Sequence, residues 1–145
     1  TDPDASIVRT ARQFNAAMPD YVVSQVKNLV GSLKGQKVAV LGASYRGGVK
    51  ETAFSGVFET VDALRREGAD VMVEDPMYED EELAAFGWDP YHVGEDVDVV
   101  IVQADHKSYA DLSPRDFPGI KLLFDGRRIT NPDNWVGTPR LVIGE

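Results

Sequence analysis

The sequence contains no cysteine, which excludes disulfide bridges, thiolate nucleophiles and Cys-ligated metal sites from this chain. Histidine is scarce as well. His92 and His106 are the only two, too few for a dedicated zinc site, so no metal is expected. No apolar run approaches the roughly 20 residues that a membrane-spanning helix needs, and nothing near the N-terminus resembles a signal peptide. These absences predict a cytoplasmic protein with no membrane partner. The chain opens at Thr1-Asp2-Pro3 without methionine, which predicts a piece of a longer polypeptide.

Positive charge is missing over one long stretch. No Lys or Arg occurs between Arg66 and Lys107, whereas Glu79-Asp80-Glu81-Glu82 lies within that interval. The formal net charge of −9 argues against a nucleic-acid partner, because phosphate binding draws on Lys and Arg. The acidic interval reads as a solvated flank rather than a cation site. What the chain does have is core-forming material. A length of 145 residues suits one domain with a helical extension, and an apolar fraction of 43% excludes disorder.

From about Asp4 to Leu33, apolar residues Ile7, Ala11, Phe14, Met18, Val22, Val26, Leu29 and Leu33 recur every three or four positions. This spacing predicts a long amphipathic helix, with Asp4 or Ser6 at its start. Pro19 removes a hydrogen bond and crowds the preceding turn, which predicts a kink there, or two helices with Pro19 opening the second. A glycine-flanked hinge follows at residues 31–36. From Lys37 the period changes. Short apolar runs at 37–41, 70–74, 97–102, 120–124 and 140–143 read as buried strands. They alternate with helical patterns at 55–68 and 79–86 and a short helix or turn at 107–112. The prediction is a doubly wound α/β domain: a mainly parallel, Rossmann-like sheet of about five strands with helices on both faces, preceded by the long helix. Trp88 and Trp135 read as packing residues, and His92 as a loop residue.

Open parallel sheets bind ligands at the carboxyl ends of their strands. The loops expected there are Gly42-Ala43-Ser44-Tyr45-Arg46-Gly47-Gly48-Val49-Lys50, Gln103-Ala104-Asp105-His106-Lys107 and Asp125-Gly126-Arg127-Arg128. Arg46, Lys50, Arg127 and Arg128 form a basic edge in an acidic chain, suited to a phosphorylated metabolite, and Tyr45 offers a ring for stacking. A tight strand-to-helix turn explains the glycines equally well, and the arginines can instead pair with the acidic flank. The first loop is not a dinucleotide fingerprint, because Ser44 stands where G-x-G-x-x-G needs glycine. Glu74 or Asp75 could mimic the ribose-binding acid, but NAD binding by this domain is not expected. No nucleophile is in register with Asp105-His106, so no catalytic residue is expected in this chain.

Lys37-Val38-Ala39-Val40-Leu41-Gly42-Ala43-Ser44-Tyr45-Arg46 resembles the start of the C-terminal domain of the UDP-glucose/GDP-mannose dehydrogenase family, where V-x-V-L-G-x-[AS]-[FY]-K leads into D-[DE]-T-R-x-S-P. Further similar strings are Glu74-Asp75-Pro76, Ala104-Asp105-His106 and Phe124-Asp125-Gly126-Arg127-Arg128. Upstream, Ala11-Arg12-Gln13-Phe14-Asn15-Ala16-Ala17-Met18-Pro19-Asp20-Tyr21-Val22-Val23 resembles the family's A-R-x-x-N-x-x-M-P-x-Y-V-V helix. The resemblance runs from about Ser6 to Trp135 in family order. The Met18-Pro19 signature is closer to the branch acting on UDP-N-acetylhexosamines, UDP-N-acetylmannosamine among them, than to the UDP-glucose branch.

The resemblance implies a three-part enzyme. An N-terminal domain absent from this chain binds NAD. A central helical region carries the catalytic cysteine and the dimer contact, and the C-terminal domain holds the UDP part of the substrate. Such enzymes oxidise the sugar C6 alcohol to a uronic acid for cell-envelope polysaccharide precursors. Residues 1–34 then correspond to the last helix of the central region, and 35–145 to the UDP-sugar-binding domain. A homodimer or larger assembly is implied for the whole enzyme, and inactivity for this part alone. By position, Tyr45, Arg46, Arg127 and Arg128 are the implied UDP-sugar contacts, with Lys50 and His106 as further candidates. Arg46 replaces the family's lysine, and a guanidinium holds phosphate differently from an ammonium. Ala53 and Gly56 replace the arginine and proline of T-R-x-S-P. The alternative is a stand-alone nucleotide-binding or regulatory module without catalysis.

Overall fold

Runs such as Val38-Ala39-Val40-Leu41 and Val99-Val100-Ile101-Val102 put apolar side chains on both faces of a strand. They are stable only inside a sheet that is covered on both sides, and these eight residues are at most 1% exposed. The computed structural model describes residues 19–44, 47–52 and 55–142. Its strands are β1 (Lys37–Leu41), β2 (Asp70–Glu74), β3 (Asp89–Pro90), β4 (Val99–Val102), β5 (Leu122–Asp125) and β6 (Arg140–Val142). All pair in parallel, in the order β3-β2-β1-β4-β5-β6.

The α-helices are α1 (residues 19–30), α2 (Val57–Arg66) and α3 (Asp80–Ala85). All three pack on one face. There Val22, Val23 and Val26 of α1, Val57, Val61 and Leu64 of α2, and Leu83 of α3 meet Val38, Val40, Val71, Val73, Val99, Ile101, Leu122 and Phe124. The other face, carrying Ala39, Leu41, Val100, Val102 and Leu123, is covered mainly by Tyr91, Tyr109, Phe117 and Trp135. Tyr109 and Trp135 come from short 3-10 helices, Lys107–Asp111 and Pro132–Trp135. Burying each aliphatic side chain of this kind contributes roughly 1.5–3 kcal/mol. Trp88 and Trp135 are both buried packing residues, as the sequence predicts.

Two features differ from the sequence reading. The sheet has six strands rather than about five. The extra strand is Asp89–Pro90, paired with Met72 and Val73. It is two residues long and contains proline, which lacks an N–H and is tolerated only at an edge, so no alternating pattern announces it. The second difference is the face that α1 turns inward. Val22, Val26 and Leu33 are buried as expected, but Leu29 is 54% exposed and Val23 takes a place in the core. The upstream part of the predicted helix, including its proposed caps, and Ile143 lie outside the described residues. So does the chain leading into Pro19, on which the expected kink depends.

This packing separates two substitutions that hydropathy alone treats alike. Val26→Ala should cost about 2 kcal/mol of unfolding free energy through lost burial and a residual cavity. Leu29→Ala should stay within about 0.5 kcal/mol. Urea denaturation of both variants reads the difference, and equal losses would mean that α1 is rotated from the position described.

Candidate functional site

The strand order reverses between β1 and β4, and a ligand crevice of such a sheet opens outside the carboxyl ends at that reversal. The loops after β1, β4 and β5 meet there. Their contact is close. At Gly42, with φ +109°, a Cβ would lie 2.5 Å from the Ala104 Cβ. At Gly47 a Cβ would overlap the Asp105 carbonyl and lie 2.7 Å from the His106 nitrogen. Only glycine lets the first loop lie against the second.

The buried Asp75, at the end of β2, ties these loops together. Its Oδ2 accepts from the backbone N–H of Ala43 (2.8 Å) and Ser44 (3.1 Å), from the Ser44 hydroxyl (3.3 Å) and from His106 Nε2 (2.9 Å). Its Oδ1 accepts from the Met77 N–H at 2.8 Å. The Gly48 N–H donates to His106 Nδ1 at 3.1 Å. Nδ1 is therefore an acceptor and Nε2 carries the proton, so Asp75 is held by a neutral imidazole rather than a cation. The Gly47 N–H donates to Asp105 Oδ1. The N–H groups of Ala43, Ser44, Gly47 and Gly48 are thus all engaged by protein acceptors. In a dinucleotide-binding domain, the backbone and helix terminus of this turn receive the pyrophosphate. Among the described residues of this turn, these four amides are not open to that group.

The basic residues divide into two sets. Lys50 forms an ion pair with Glu82 of α3 at 2.7 Å and lies 5.2 Å from the centre of the Tyr78 ring. It serves the acidic flank. Arg127 and Arg128 follow β5 in a turn built on Asp125, whose side chain is fully buried. Asp125 accepts from the N–H groups of Arg127 (3.0 Å) and Thr130 (2.8 Å) and from the Thr130 hydroxyl. Arg140 braces Thr130 through its Nε and Nη2, at 3.0 and 3.1 Å. Arg128 adopts φ 55° within the turn, a left-handed conformation that costs a residue with a Cβ roughly 1–2 kcal/mol. Arg127 reaches back to the β4 loop, with Nη2 3.5 Å from Asp105 Oδ1. Both arginines are exposed at the carboxyl edge.

Of the candidates named from sequence, Arg127, Arg128 and His106 belong to the loops gathered at this edge, and Lys50 is drawn to α3. Tyr45 and Arg46 lie outside the described residues. His106 is 4% exposed with both ring nitrogens engaged, so it braces the loops from beneath. Sequence reasoning missed the bracing carboxylates Asp105 and Asp125. Asp-Gly directly after a strand was the available signal for Asp125, because an Asx turn begins that way.

Glu74 lies beside this network. Its backbone carbonyl accepts from the Gly42 N–H at 2.6 Å, and its carboxylate meets the Tyr109 hydroxyl at 3.2 Å. Burial pushes its pKa up to about 7. The Tyr109 hydrogen bond opposes the rise, and the Asp75 carboxylate adds to it. Asp105 shifts the other way, its pKa lowered first by the Gly47 N–H and also by Arg127.

A sequence model of the UDP binding domain of the UDP-glucose/GDP-mannose dehydrogenase family matches residues 39–132. The chain is 30% identical over 138 residues to a UDP-N-acetyl-D-mannosamine dehydrogenase of Methanocaldococcus jannaschii, covering 91% of this chain and 32% of that protein. A Methanococcus vannielii protein of the same name is 30% identical over 145 residues, with the same coverages. Among solved structures, the native UDP-N-acetyl-mannosamine dehydrogenase of Staphylococcus aureus superposes with a TM-score of 0.77 at 26% identity, over 98% of this chain and 35% of that one. A UDP-glucose dehydrogenase from Pyrobaculum islandicum gives 0.76 at 25% identity, over 94% and 32%. The chain spans about a third of the length of the curated relatives it matches.

The raised pKa of Glu74 has a measurable sign. Between about pH 4.5 and 7 the folded chain holds a proton on Glu74 that the unfolded chain has released. The stability from this group is therefore full below pH 4.5 and lost as pH rises to 7. Glu74→Gln, which cannot ionise, should gain on the order of 2 kcal/mol relative to the unaltered protein between pH 5 and pH 8. A stability difference that stays constant across that range would remove the assignment.

Proposed function

Because this chain belongs to the UDP-glucose/GDP-mannose dehydrogenase family, we propose that it holds the nucleotide of a UDP-sugar while the oxidation takes place on a longer polypeptide. The observation that carries the reading is the Arg127–Arg128 turn. A buried carboxylate anchors it at the carboxyl edge of β5, beside the reversal of strand order. Guanidinium groups there offer forked donors to a pyrophosphate. The backbone N–H groups of Ala43, Ser44, Gly47 and Gly48 are already engaged by the protein, which favours side chains as the source of the anion contacts. Tyr45 and Arg46, which precede Gly47 in that loop, are the proposed companions at the sugar nucleotide.

On this reading the whole protein is an NAD-dependent UDP-sugar 6-dehydrogenase. It takes an alcohol at the sugar C6 to a uronic acid in the cytoplasm, for polysaccharide precursors. The names of the relatives favour UDP-N-acetylmannosamine as the substrate. NAD is held by a domain outside this chain, consistent with the closed turn between β1 and β4. Residues 1–34 belong with a central helical region and 35–145 with the nucleotide domain. The working assembly is a homodimer or larger.

The chain itself offers a direct test. UDP at about 100 times its Kd should stabilise the protein by about 2.7 kcal/mol, raising its melting temperature, and free NAD should do less. Arg128→Ala should abolish the UDP shift, read against the variant's own melting temperature without ligand. No shift with millimolar UDP, or a larger one with NAD, would reject the proposal.

A further inference from the structure

Asp105 touches both loops from which nucleotide contacts are expected. Its Oδ1 takes the Gly47 N–H in the loop after β1 and faces Arg127 Nη2 at 3.5 Å in the loop after β5. Arg127 Nη1 lies 3.5 Å from the Gln103 carbonyl, so the guanidinium meets the β4 loop at two points. The Gly47 contact has no slack, since the Asp105 backbone fills the space where a side chain at that position would begin. His106, the next residue, takes the Gly48 N–H. Two consecutive side chains of the β4 loop therefore fix two consecutive amides of the β1 loop. Only the first of them also reaches Arg127.

We propose that Asp105 is a positioning residue for the nucleotide site, one carboxylate that ties Gly47 of the β1 loop and Arg127 of the β5 loop to the β4 loop and so sets the two loops in register. The inference rests on the nucleotide-binding reading above. Asp105 does not contact the ligand. It is an anion beside an anion site, and its own charge is balanced by Arg127 and the Gly47 N–H. Its side chain is 42% exposed, so it adds little to the core. Its effect is directional: it holds the Arg127 side chain against the β4 loop, and it fixes Gly47, the residue that directly follows Tyr45-Arg46.

The test uses the full-length protein with Asp105→Ala, Asp105→Asn and an exposed control, Asp62→Ala. Asparagine keeps an acceptor for the Gly47 N–H but drops the charge that faces Arg127. Asp105→Ala should weaken UDP binding about tenfold by calorimetry, the scale of a lost charge-assisted hydrogen bond, and speed amide exchange at Gly47. Asp105→Asn should keep the slow exchange and lose about threefold in affinity, an exposed pair being weak. Adding Arg127→Ala to Asp105→Ala should cost less than the two single losses combined. UDP affinity in Asp105→Ala equal to that of Asp62→Ala would overturn the proposal, as would a fall in melting temperature that Asn does not rescue. If the unaltered protein takes no UDP, the nucleotide reading itself falls. The exchange arm still decides the loop contact, and unchanged exchange at Gly47 in Asp105→Ala overturns it separately.

Discussion

A carboxylate with no access to water must find all its partners inside the protein, and Asp75 finds five hydrogen bonds from four residues. An ionised carboxylate left unpaired in the interior costs several kcal/mol. Any arrangement in which Ala43, Ser44, Met77 or His106 moves away is therefore penalised strongly. Asp75 thereby specifies where the β1 loop turns, where α3 is approached and which tautomer His106 adopts. The carboxyl edge of the sheet is built around this one group, and the rest of the candidate site rests on it.

The same network separates this domain from others with its strand order. The order β3-β2-β1-β4-β5-β6 is that of dinucleotide-binding sheets, whose first turn leaves backbone N–H groups open to phosphate. Here Asp75 takes the N–H groups of Ala43 and Ser44, Asp105 takes that of Gly47, and His106 takes that of Gly48. Gly42 and Gly47 serve close contact between loops rather than close approach to a ligand. Fold and function come apart at this turn, since one topology carries either an open cradle or a closed one. The amides of Ala43, Ser44, Gly47 and Gly48 are thus taken up in bracing the loops.

Much of this was legible in the sequence, for reasons that particular residues make plain. Lys37–Leu41 and Asp70–Glu74 are as predicted because the short β-favouring apolar runs Val38-Ala39-Val40-Leu41 and Val71-Met72-Val73, closed by Gly42 and Asp75-Pro76, suit buried strands. The Arg127–Arg128 turn was legible because Asp125-Gly126 closes such a run. Asp89–Pro90 was not, since two residues carry no period. Leu29 and Val23 exchanged places because both lie within a helical turn of the true stripe, and only the sheet decides which face turns inward. The pairing of Lys50 with Glu82 spans separate elements, so charge counting saw a cation at the edge but not its partner. Asp75 was read as a possible ribose acid, because sequence shows a carboxylate at a strand end but not the donors that converge on it.

The electrostatic picture follows from these pairings rather than from net charge. At −9 the chain as a whole repels anions, and the Lys50–Glu82 pair leaves the acidic flank close to neutral only where they meet. The Asp105 carboxylate, its pKa held down by the Gly47 N–H and Arg127, adds negative charge at the edge itself. An anion approaching there meets a field that the two arginines must overcome locally. Exposed charges are screened within about 8–10 Å, so direct, geometrically fixed contact counts for more than long-range attraction. The buried Asp125 turn and its Thr130–Arg140 brace fix the backbone that carries Arg127 and Arg128. The left-handed conformation of Arg128 is part of the cost of that fixed turn.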